Sequence, residues 1–160
     1  IFVTRTEYAD KSGVPTGLQA WTSRATLGGW AFRLSYKNSP FWGDADISYD
    51  GDPSRLFPLR QSKTVRFDSL IRSKKFASGT RVNRCCKIIG REPIAISMGR
   101  FNSVNFNCWT IGSLLPPERY YFSPELNYPV RTVRYVKHAA DLNRPPGEVI
   151  WELQKLERPK

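Results

Sequence analysis

The run "KTVRFDSLIR" (residues 63–72) decides the fold class of this chain. Val65, Phe67 and Ile71 stand two or four positions apart, and charged residues alternate with them. Successive side chains of a β-strand point to opposite faces of the sheet, so these three apolar residues share one face. The run therefore predicts a strand with one buried face.

The same alternation recurs in "WAFRLSYK" (residues 30–37) and in "EVIWELQKL" (residues 148–156). Turn signals separate these runs, and the chain contains 11 glycines and 12 prolines. No stretch of the sequence carries the apolar stripe of an amphipathic helix. We therefore expect an all-β fold, either an antiparallel sheet sandwich or a partly open β-barrel of about ten short strands.

The length of 160 residues favours a single β domain. Within it, we expect residues 1–55 to form an N-terminal hairpin layer and residues 56–156 to form the main β region. No apolar run approaches the roughly 18 to 20 residues of a membrane-spanning helix, so no transmembrane segment is expected. The chain opens on "IFVTRTEY" without a signal-peptide pattern, and we expect a mature chain whose signal peptide has been removed.

Three cysteines stand in two runs, "RVNRCCKIIG" (residues 81–90) and "VNFNCWTIG" (residues 104–112). Cys86 and Cys108 each lie in phase with the apolar residues of their own run, whereas Cys85 points to the opposite face. If the two strands pair, Cys86 and Cys108 can form a disulfide, which would indicate an oxidising compartment. The alternative is that all three cysteines are reduced and that two of them are small core side chains.

The runs "CKIIGREPIAISMGRFNSVNFNC" (residues 86–108) and "RYYFSPELNYPVR" (residues 119–131) resemble patterns found in exported bacterial β-domains of unknown function. The upstream "LFPLRQSKTVRFD" (residues 56–68) is similar to another part of the same domains. The resemblance covers about Leu56 to Leu156, and its motifs concern packing and turns. It implies a β fold and a location in the periplasm or outside a bacterial cell. It implies no activity.

Catalytic and metal-binding constellations are missing from the sequence. His138 is the only histidine, and no Gly-x-Ser-x-Gly elbow accompanies it. Adjacent Cys85 and Cys86 point to opposite faces of a regular strand and cannot both bind one zinc ion. The aspartates of residues 44–52 lack the spacing of an EF-hand calcium loop. We expect that the protein is not an enzyme, and that it has no catalytic residue, no metal site and no cofactor.

The segment "RYYFSPELNYPV" (residues 119–130) concentrates aromatic side chains around one turn. Pro124 and Asn127 predict a tight turn in which Asn127 adopts a left-handed conformation. The aromatic side chains either pack in the core or form an exposed rim that binds a partner. The candidate partner-binding residues of this segment are Tyr120, Tyr121, Phe122 and Tyr128.

The chain carries 25 basic and 14 acidic residues, which gives a formal net charge of +11. Such an excess attracts acidic surfaces of any kind. The runs "RSKK" and "RVNR" could form a continuous basic patch, in which the candidate partner-binding residues are Arg72, Lys74, Lys75 and Arg84. Aromatic residues beside such charge suit single-stranded nucleic acid. No RNP-type or helix-turn-helix pattern is present, so nucleic acid is not the expected partner.

These observations favour a non-catalytic exported module that binds a protein partner whose surface could be acidic. Such a module would be a subunit or accessory protein of a bacterial envelope or extracellular complex. The alternative is a periplasmic carrier that holds a lipid or another amphiphile in a half-open β-barrel, which requires an apolar pocket. A basic β-platform that binds nucleic acid is a less favoured interpretation.

Overall fold

The computed structural model describes the backbone of residues 2–9, 15–17, 22–25, 33–39, 43–50, 53–73, 76–136 and 147–157, and side chains within 55–72, 77–135 and 147–155. The strands in chain order are β1 (Phe2–Ala9), β2 (Pro15–Gly17), β3 (Thr22–Ala25), β4 (Arg33–Ser39), β5 (Gly43–Asp50), β6 (Thr64–Ser73), β7 (Phe76–Ile96), β8 (Gly99–Thr110), β9 (Glu118–Ser123), β10 (Tyr128–Val136) and β11 (Gly147–Glu157). A short 3-10 helix, Pro53–Leu56, precedes β6. Among the described residues, no helix has the length and apolar character needed to cross a membrane.

All strand pairs among the described residues are antiparallel. The sheet follows the order β11-β10-β9-β8-β7-β6-β5-β4-β3-β1-β2, and β1 also pairs with β11. The described ranges contain no α-helix. The predicted all-β antiparallel architecture is therefore confirmed. The expectation of short strands is wrong for β7, which has 21 residues and pairs with both β6 and β8.

Strand β6 has the alternation that its sequence predicts. Val65, Phe67 and Ile71 are buried, whereas Arg66 and Arg72 are exposed. A shift of the register by one residue would move the three apolar side chains into water, so their burial fixes the register. Each of these side chains contributes about 1.5–3 kcal/mol when it is buried.

One face of the sheet carries the disulfide and is called the disulfide face. Val65 of β6 lies directly opposite Cys86 of β7. Cys108 of β8 lies opposite both Cys86 and Glu118, the first residue of β9. Because directly opposed residues of paired strands share a face, these four side chains form a line across β6–β9.

The disulfide face also carries the larger of two hydrophobic clusters. Its buried members are Leu56, Val65, Phe67, Cys86, Ile88, Val104, Phe106, Cys108 and Phe122. Phe57 packs edge-on against Phe122, with ring centroids 5.4 Å apart. The cluster joins residues that are remote in sequence, so the burial of apolar surface stabilises the pairing of β6–β9 as a unit.

The second hydrophobic cluster lies toward the turn between β7 and β8. Its buried members are Ile94, Tyr128, Val130 and Leu153, and Phe101 is half-buried against them. Ile94 and Phe101 are directly opposed, two residue pairs before the end of the β7–β8 hairpin.

The pairing of β9 and β10 contains a bulge, because its register shifts between Pro129 and Arg131. A bulge is a suitable place for a proline in a strand, because proline has no N–H to donate to the ladder.

The backbone of the first five strands belongs to the same sheet as the rest of the chain. β5 pairs with β6, and β1 pairs with β11. The side chains of residues 1–54 lie outside the described residues. The division of the single domain into an N-terminal hairpin layer and a main β region therefore stays a prediction.

Candidate functional site

The predicted disulfide joins β7 and β8. Cys86 and Cys108 are directly opposed, their Cα atoms lie 4.1 Å apart, and their sulfur atoms are bonded. Both side chains are fully buried. Cys85 is a buried free thiol that lies opposite Trp109, on the other face of the sheet. The pairing predicted from the strand phase is confirmed, and such a bond is typical of proteins in oxidising compartments.

The loop between β8 and β9 exposes apolar side chains to solvent. This β8–β9 loop comprises residues 111–117, "IGSLLPP". Leu114 is fully exposed, at 101% of its reference area, while Ile111 is 47% and Leu115 41% exposed. Of the five large apolar side chains that are exposed in the described part of the chain, three belong to this loop. Packing among the described residues therefore does not account for their exposure.

Hydrogen bonds hold the backbone of the β8–β9 loop. The Ile111 N–H donates to the carbonyl oxygen of Asn83 in β7, at 2.9 Å. The Ser113 N–H donates to the carbonyl oxygen of Thr110, at 3.1 Å. The Leu115 N–H donates to the hydroxyl oxygen of Ser113, also at 3.1 Å. The loop is thus anchored to β7, to the end of β8 and to itself.

Glycine and proline restrict the path of the same loop. Gly112 has a φ of 82°, in the left-handed region that favours glycine. Pro116 and Pro117 end the loop, and their rings fix φ near −65°. A chain with fewer accessible conformations loses less entropy when the loop is ordered. The loop therefore presents its apolar side chains from a restricted backbone.

A partly buried group of charged side chains lies at the base of the loop. Glu118 of β9 directly follows the loop and accepts two hydrogen bonds from Arg84 of β7. They measure 2.8 Å from Nη2 to Oε2 and 3.3 Å from Nη1 to Oε1. Arg134 of β10 lies on the other side, with its Nε 2.9 Å from Glu118 Oε1. This second contact is an ion pair. Together with Tyr120, these residues are called the ionic cluster.

Tyr120 connects the ionic cluster to the hydrophobic cluster of the disulfide face. Its hydroxyl donates a hydrogen bond to Glu118 Oε2. Its ring stacks on Phe106, with centroids 5.1 Å apart and an interplanar angle of 11°. Burial and the neighbouring charge of Glu118 raise the pKa of Tyr120 to about 12. The hydroxyl is therefore neutral at physiological pH and remains a donor.

Glu118 is ionised despite its burial. The side chains of Arg84 and Glu118 are each only 15% exposed. Burial alone would raise the pKa of Glu118, but the charges of Arg134 and Arg84 outweigh it and hold the pKa well below its usual range. Separating the opposite charges of such a group where water is largely excluded is costly, so the cluster resists rearrangement.

Arg84 of the ionic cluster contacts both ends of the β8–β9 loop. Arg84 lies directly opposite Thr110, the last residue of β8, and it also binds Glu118 at the start of β9. Arg134 extends the cluster to β11, because its guanidinium lies 5.7 Å from the ring centroid of Trp151. The base of the loop is thereby linked to β7, β9, β10 and β11.

The structure places the predicted aromatic residues in two environments. Phe122 and Tyr128 are buried members of the two hydrophobic clusters. Tyr120 belongs to the ionic cluster, and Tyr121 is half-buried with the guanidinium of Arg131 6.0 Å from its ring centroid. Burial favours the packing interpretation at Phe122 and Tyr128. A partner-binding role for the four aromatic residues stays a prediction.

The turn within this aromatic segment has the predicted backbone. Asn127 has a φ of 53°, in the left-handed region. The Leu126 N–H donates to the hydroxyl oxygen of Ser123 at 3.2 Å. The concentration of aromatic residues around this turn follows from their alternation between the two hydrophobic clusters.

The predicted basic patch is divided in the structure. Arg72 is exposed on β6 and lies opposite Asp46 of β5 in register. Arg84 belongs to the ionic cluster, because it is two residues from Cys86 and therefore shares the disulfide face. Lys74 and Lys75 lie outside the described residues. A partner-binding role for these basic residues stays a prediction.

Sequence reasoning identified neither the β8–β9 loop nor the ionic cluster. A local signal for the loop exists, since "SLLPP" places two leucines where glycine, serine and proline interrupt the strand period. For Glu118 no local signal exists, because Arg84 is 34 residues away in sequence. Only the pairing of β7, β8 and β9 brings these residues together.

Within the described residues, no group of three or more His, Cys, Asp or Glu side chains is arranged to hold a metal ion. Comparisons of the chain with protein-family models, with curated proteins and with solved structures found no match. The β8–β9 loop and the ionic cluster beneath it are the features from which a function can be argued.

Proposed function

We propose that this chain is a non-catalytic exported module for binding or assembly, and that the β8–β9 loop is its contact surface. The observation that carries the proposal is the exposure of Ile111, Leu114 and Leu115 in one loop. Outside this loop, only Ile89 and Met98 are exposed among the large apolar side chains of the described residues. Exposed apolar side chains that are grouped in one loop indicate a site of contact with another molecule.

The base of the loop suits a binding role. Arg84 holds Thr110 by strand pairing and Glu118 by an ion pair. The disulfide between Cys86 and Cys108 fixes the adjacent residue pair on the same face. A surface that is rigid before binding loses less conformational freedom when the partner arrives, which favours affinity.

The disulfide supports a location in the periplasm or outside the cell. The resemblance of residues 56–156 to exported bacterial β-domains supports the same location. The net charge of +11 supports a partner with an acidic surface. A role as a subunit or accessory of a bacterial envelope or extracellular complex agrees with these three observations.

A partly open β-barrel is the form of the sheet that we propose. Its support is the strand pairing, since β11 pairs with β10 on one side and with β1 on the other. Closure of this kind leaves few unpaired strand edges, and such edges are sites of non-specific association. A specific contact through one loop is then compatible with a soluble, basic domain.

The experiment compares binding by three purified, tagged proteins. They are the wild type, the loop variant Leu114→Ser/Leu115→Ser, and the control variant Met98→Ser in the turn between β7 and β8. Met98 is 39% exposed and lies at the opposite end of β8, so it matches the loop leucines in character but not in position. Each protein is incubated with envelope and secreted fractions of the producing cells, and bound protein and lipid are quantified by mass spectrometry.

We expect the loop variant to capture at least about tenfold less material than the wild type, because two apolar contacts are removed. Met98→Ser should capture the same material as the wild type. Equal capture by the loop variant and the wild type would contradict the assignment of the β8–β9 loop as the contact surface.

A further inference from the structure

We propose that the partner of the β8–β9 loop is the surface of a lipid bilayer with anionic headgroups. This inference rests on the proposed function, because it takes the same loop as the contact surface, and it adds the class of partner. Ile111, Leu114 and Leu115 enter the boundary between headgroups and acyl chains, while the β-sheet stays in water. Binding of this kind scales with the buried apolar area and with the attraction of basic residues to anionic lipids.

The size of the apolar surface fits a bilayer better than a protein. Three partly or fully exposed side chains offer an area on the order of 300 Å², at the lower end of the range for the largest apolar patch on a monomeric protein, which is often functional. A stable protein–protein interface buries about 800 Å² on each partner. A bilayer has no such requirement, since each leucine that leaves water strengthens binding by on the order of 10- to 100-fold.

Most N–H groups of the loop need no further hydrogen-bond acceptor. The N–H groups of Ile111, Ser113 and Leu115 already donate within the chain. Pro116 and Pro117 have no N–H group. Together, these residues account for five of the seven positions of "IGSLLPP". Unsatisfied backbone groups are costly in lipid, whereas a protein partner could supply acceptors.

The charges around the loop favour anionic headgroups. The loop itself contains no charged residue. Ion pairs at its base join Arg84 and Arg134 to Glu118, and Arg119 to Glu148. Three positive and two negative side chains leave these five with a net charge of +1, on a chain whose net charge is +11. Each basic residue near an anionic surface that no carboxylate offsets strengthens binding by roughly fivefold.

The test measures sedimentation of the purified full chain with lipid vesicles at low salt. One set of vesicles is phosphatidylcholine alone, and the other contains about one third phosphatidylglycerol, an anionic lipid. The proteins are the wild type, Leu114→Ser/Leu115→Ser and Met98→Ser. Circular dichroism and thermal melting establish that both variants are folded, which is expected because the substituted side chains are exposed.

We expect the wild type to bind anionic vesicles at least about tenfold more strongly than neutral ones. The loop variant should bind them on the order of 100-fold more weakly, because two leucines no longer enter the bilayer. Met98→Ser should bind within about twofold of the wild type, because its site lies at the other end of β8. Absence of binding by the wild type, or equal binding by the loop variant, would overturn the proposal.

A second variant reports insertion directly and does not depend on loss of binding. Leu114→Trp places a fluorophore at the tip of the loop, and Met98→Trp is its control, each measured against the wild-type background. With anionic vesicles, emission from Leu114→Trp should shift to shorter wavelength and be quenched by brominated acyl chains. Vesicle binding without shift or quenching would mean adsorption by charge alone, and the insertion proposal would be wrong.

The two proposals fail in different ways. Loop-dependent capture of a protein from the cell fractions, without binding to anionic vesicles, would overturn the lipid proposal and leave the contact surface standing. Capture and vesicle binding that are both unaffected by Leu114→Ser/Leu115→Ser would overturn both.

Discussion

The two ends of strand β8 differ in which side chains they bury. Near Gly99, Ile94 and Phe101 face each other and pack into the second hydrophobic cluster. Near Thr110, the charged side chains of the ionic cluster are largely buried, and the leucines of the β8–β9 loop are exposed. The first end follows the usual rule of apolar side chains inside, and the second inverts it.

The inversion shows how a loop can expose apolar residues and still be held in place. Packing cannot anchor Leu114, which is fully exposed. Arg84 and Glu118 hold the base of the loop instead, because two hydrogen bonds fix the relative orientation of their side chains. A buried ion pair is weak support for net stability compared with apolar packing, but it penalises any rearrangement that separates the charges.

Replacing the carboxylate of Glu118 should have the largest effect on stability. Glu118→Gln keeps the volume of the side chain but leaves Arg84 and Arg134 without their shared negative charge. We expect a loss of about 3 kcal/mol in the free energy of unfolding, because two guanidinium groups that are largely removed from water lose the carboxylate that they share. Urea denaturation measures the change.

Glu125→Gln is the matched control, since Glu125 is exposed in the turn between β9 and β10. It should change the free energy of unfolding by less than about 0.5 kcal/mol. A loss below about 1 kcal/mol for Glu118→Gln would show that the ionic cluster does not hold the base of the loop.

Acid should weaken the same end of β8. The pKa of Glu118 is held below its usual range in the folded chain. A carboxyl group with a lowered folded-state pKa contributes its full stability above its unfolded-state pKa and loses it as the pH falls further. The wild type should therefore lose stability below about pH 4.5 more steeply than Glu118→Gln. Parallel slopes for the two proteins would contradict the shift.

Removing the disulfide should have the next largest effect. The double replacement Cys86→Ala/Cys108→Ala opens a link between residues separated by 22 positions. The chain-entropy model predicts a loss of about 3 kcal/mol. Thermal unfolding measures the change, and Cys85→Ala is the control for loss of a buried sulfur without loss of a bond. Similar losses in the single and double variants would assign the effect to packing.

Removing one hydroxyl should sharpen the comparison between the two faces of β9. Tyr120→Phe deletes the donor to Glu118, and we expect a loss of about 1.5–3 kcal/mol, typical of a hydrogen bond to a charged group. Tyr121→Phe, on the opposite face, should cost less. Equal losses in urea denaturation would remove the distinction.

The hydroxyl of Tyr120 should also ionise at a higher pH than that of an ordinary tyrosine. Its pKa is raised to about 12 by burial and by Glu118. The neutral form is favoured in the folded chain, so its stabilising effect is complete below pH 10 and is lost as the pH rises toward 12. An ultraviolet titration that compares the wild type with Tyr120→Phe should show one fewer late-titrating phenol in the variant.

The smallest effect is expected at the turn after β9. Asn127→Gly should be neutral or should stabilise the chain by less than about 1 kcal/mol, since glycine adopts a positive φ without cost. Asn127→Ala should lose about 1 kcal/mol, because alanine is strained in the left-handed region. Thermal unfolding ranks the two variants. Greater stability of Asn127→Ala than Asn127→Gly would contradict the role of backbone conformation.

The features that depend on a local pattern of residues could be predicted from the sequence. The period of two in residues 63–72 gave the buried face of β6, because alternation along a strand is a property of its own backbone. The phase of Cys86 and Cys108 allowed their disulfide, and that of Cys85 excluded it from the bond. Asn127 indicated its left-handed conformation, because few residues other than glycine adopt it.

The tertiary structure alone decided which strands are neighbours and which apolar residues remain in water. Glu118 meets Arg84 and Arg134 only because β7, β9 and β10 converge at the end of β8, and strand order is a property of the whole sheet. Apolar character would have predicted burial for Leu114. Its exposure follows from the position of the β8–β9 loop, where the strands end and no packed surface of the described residues covers it.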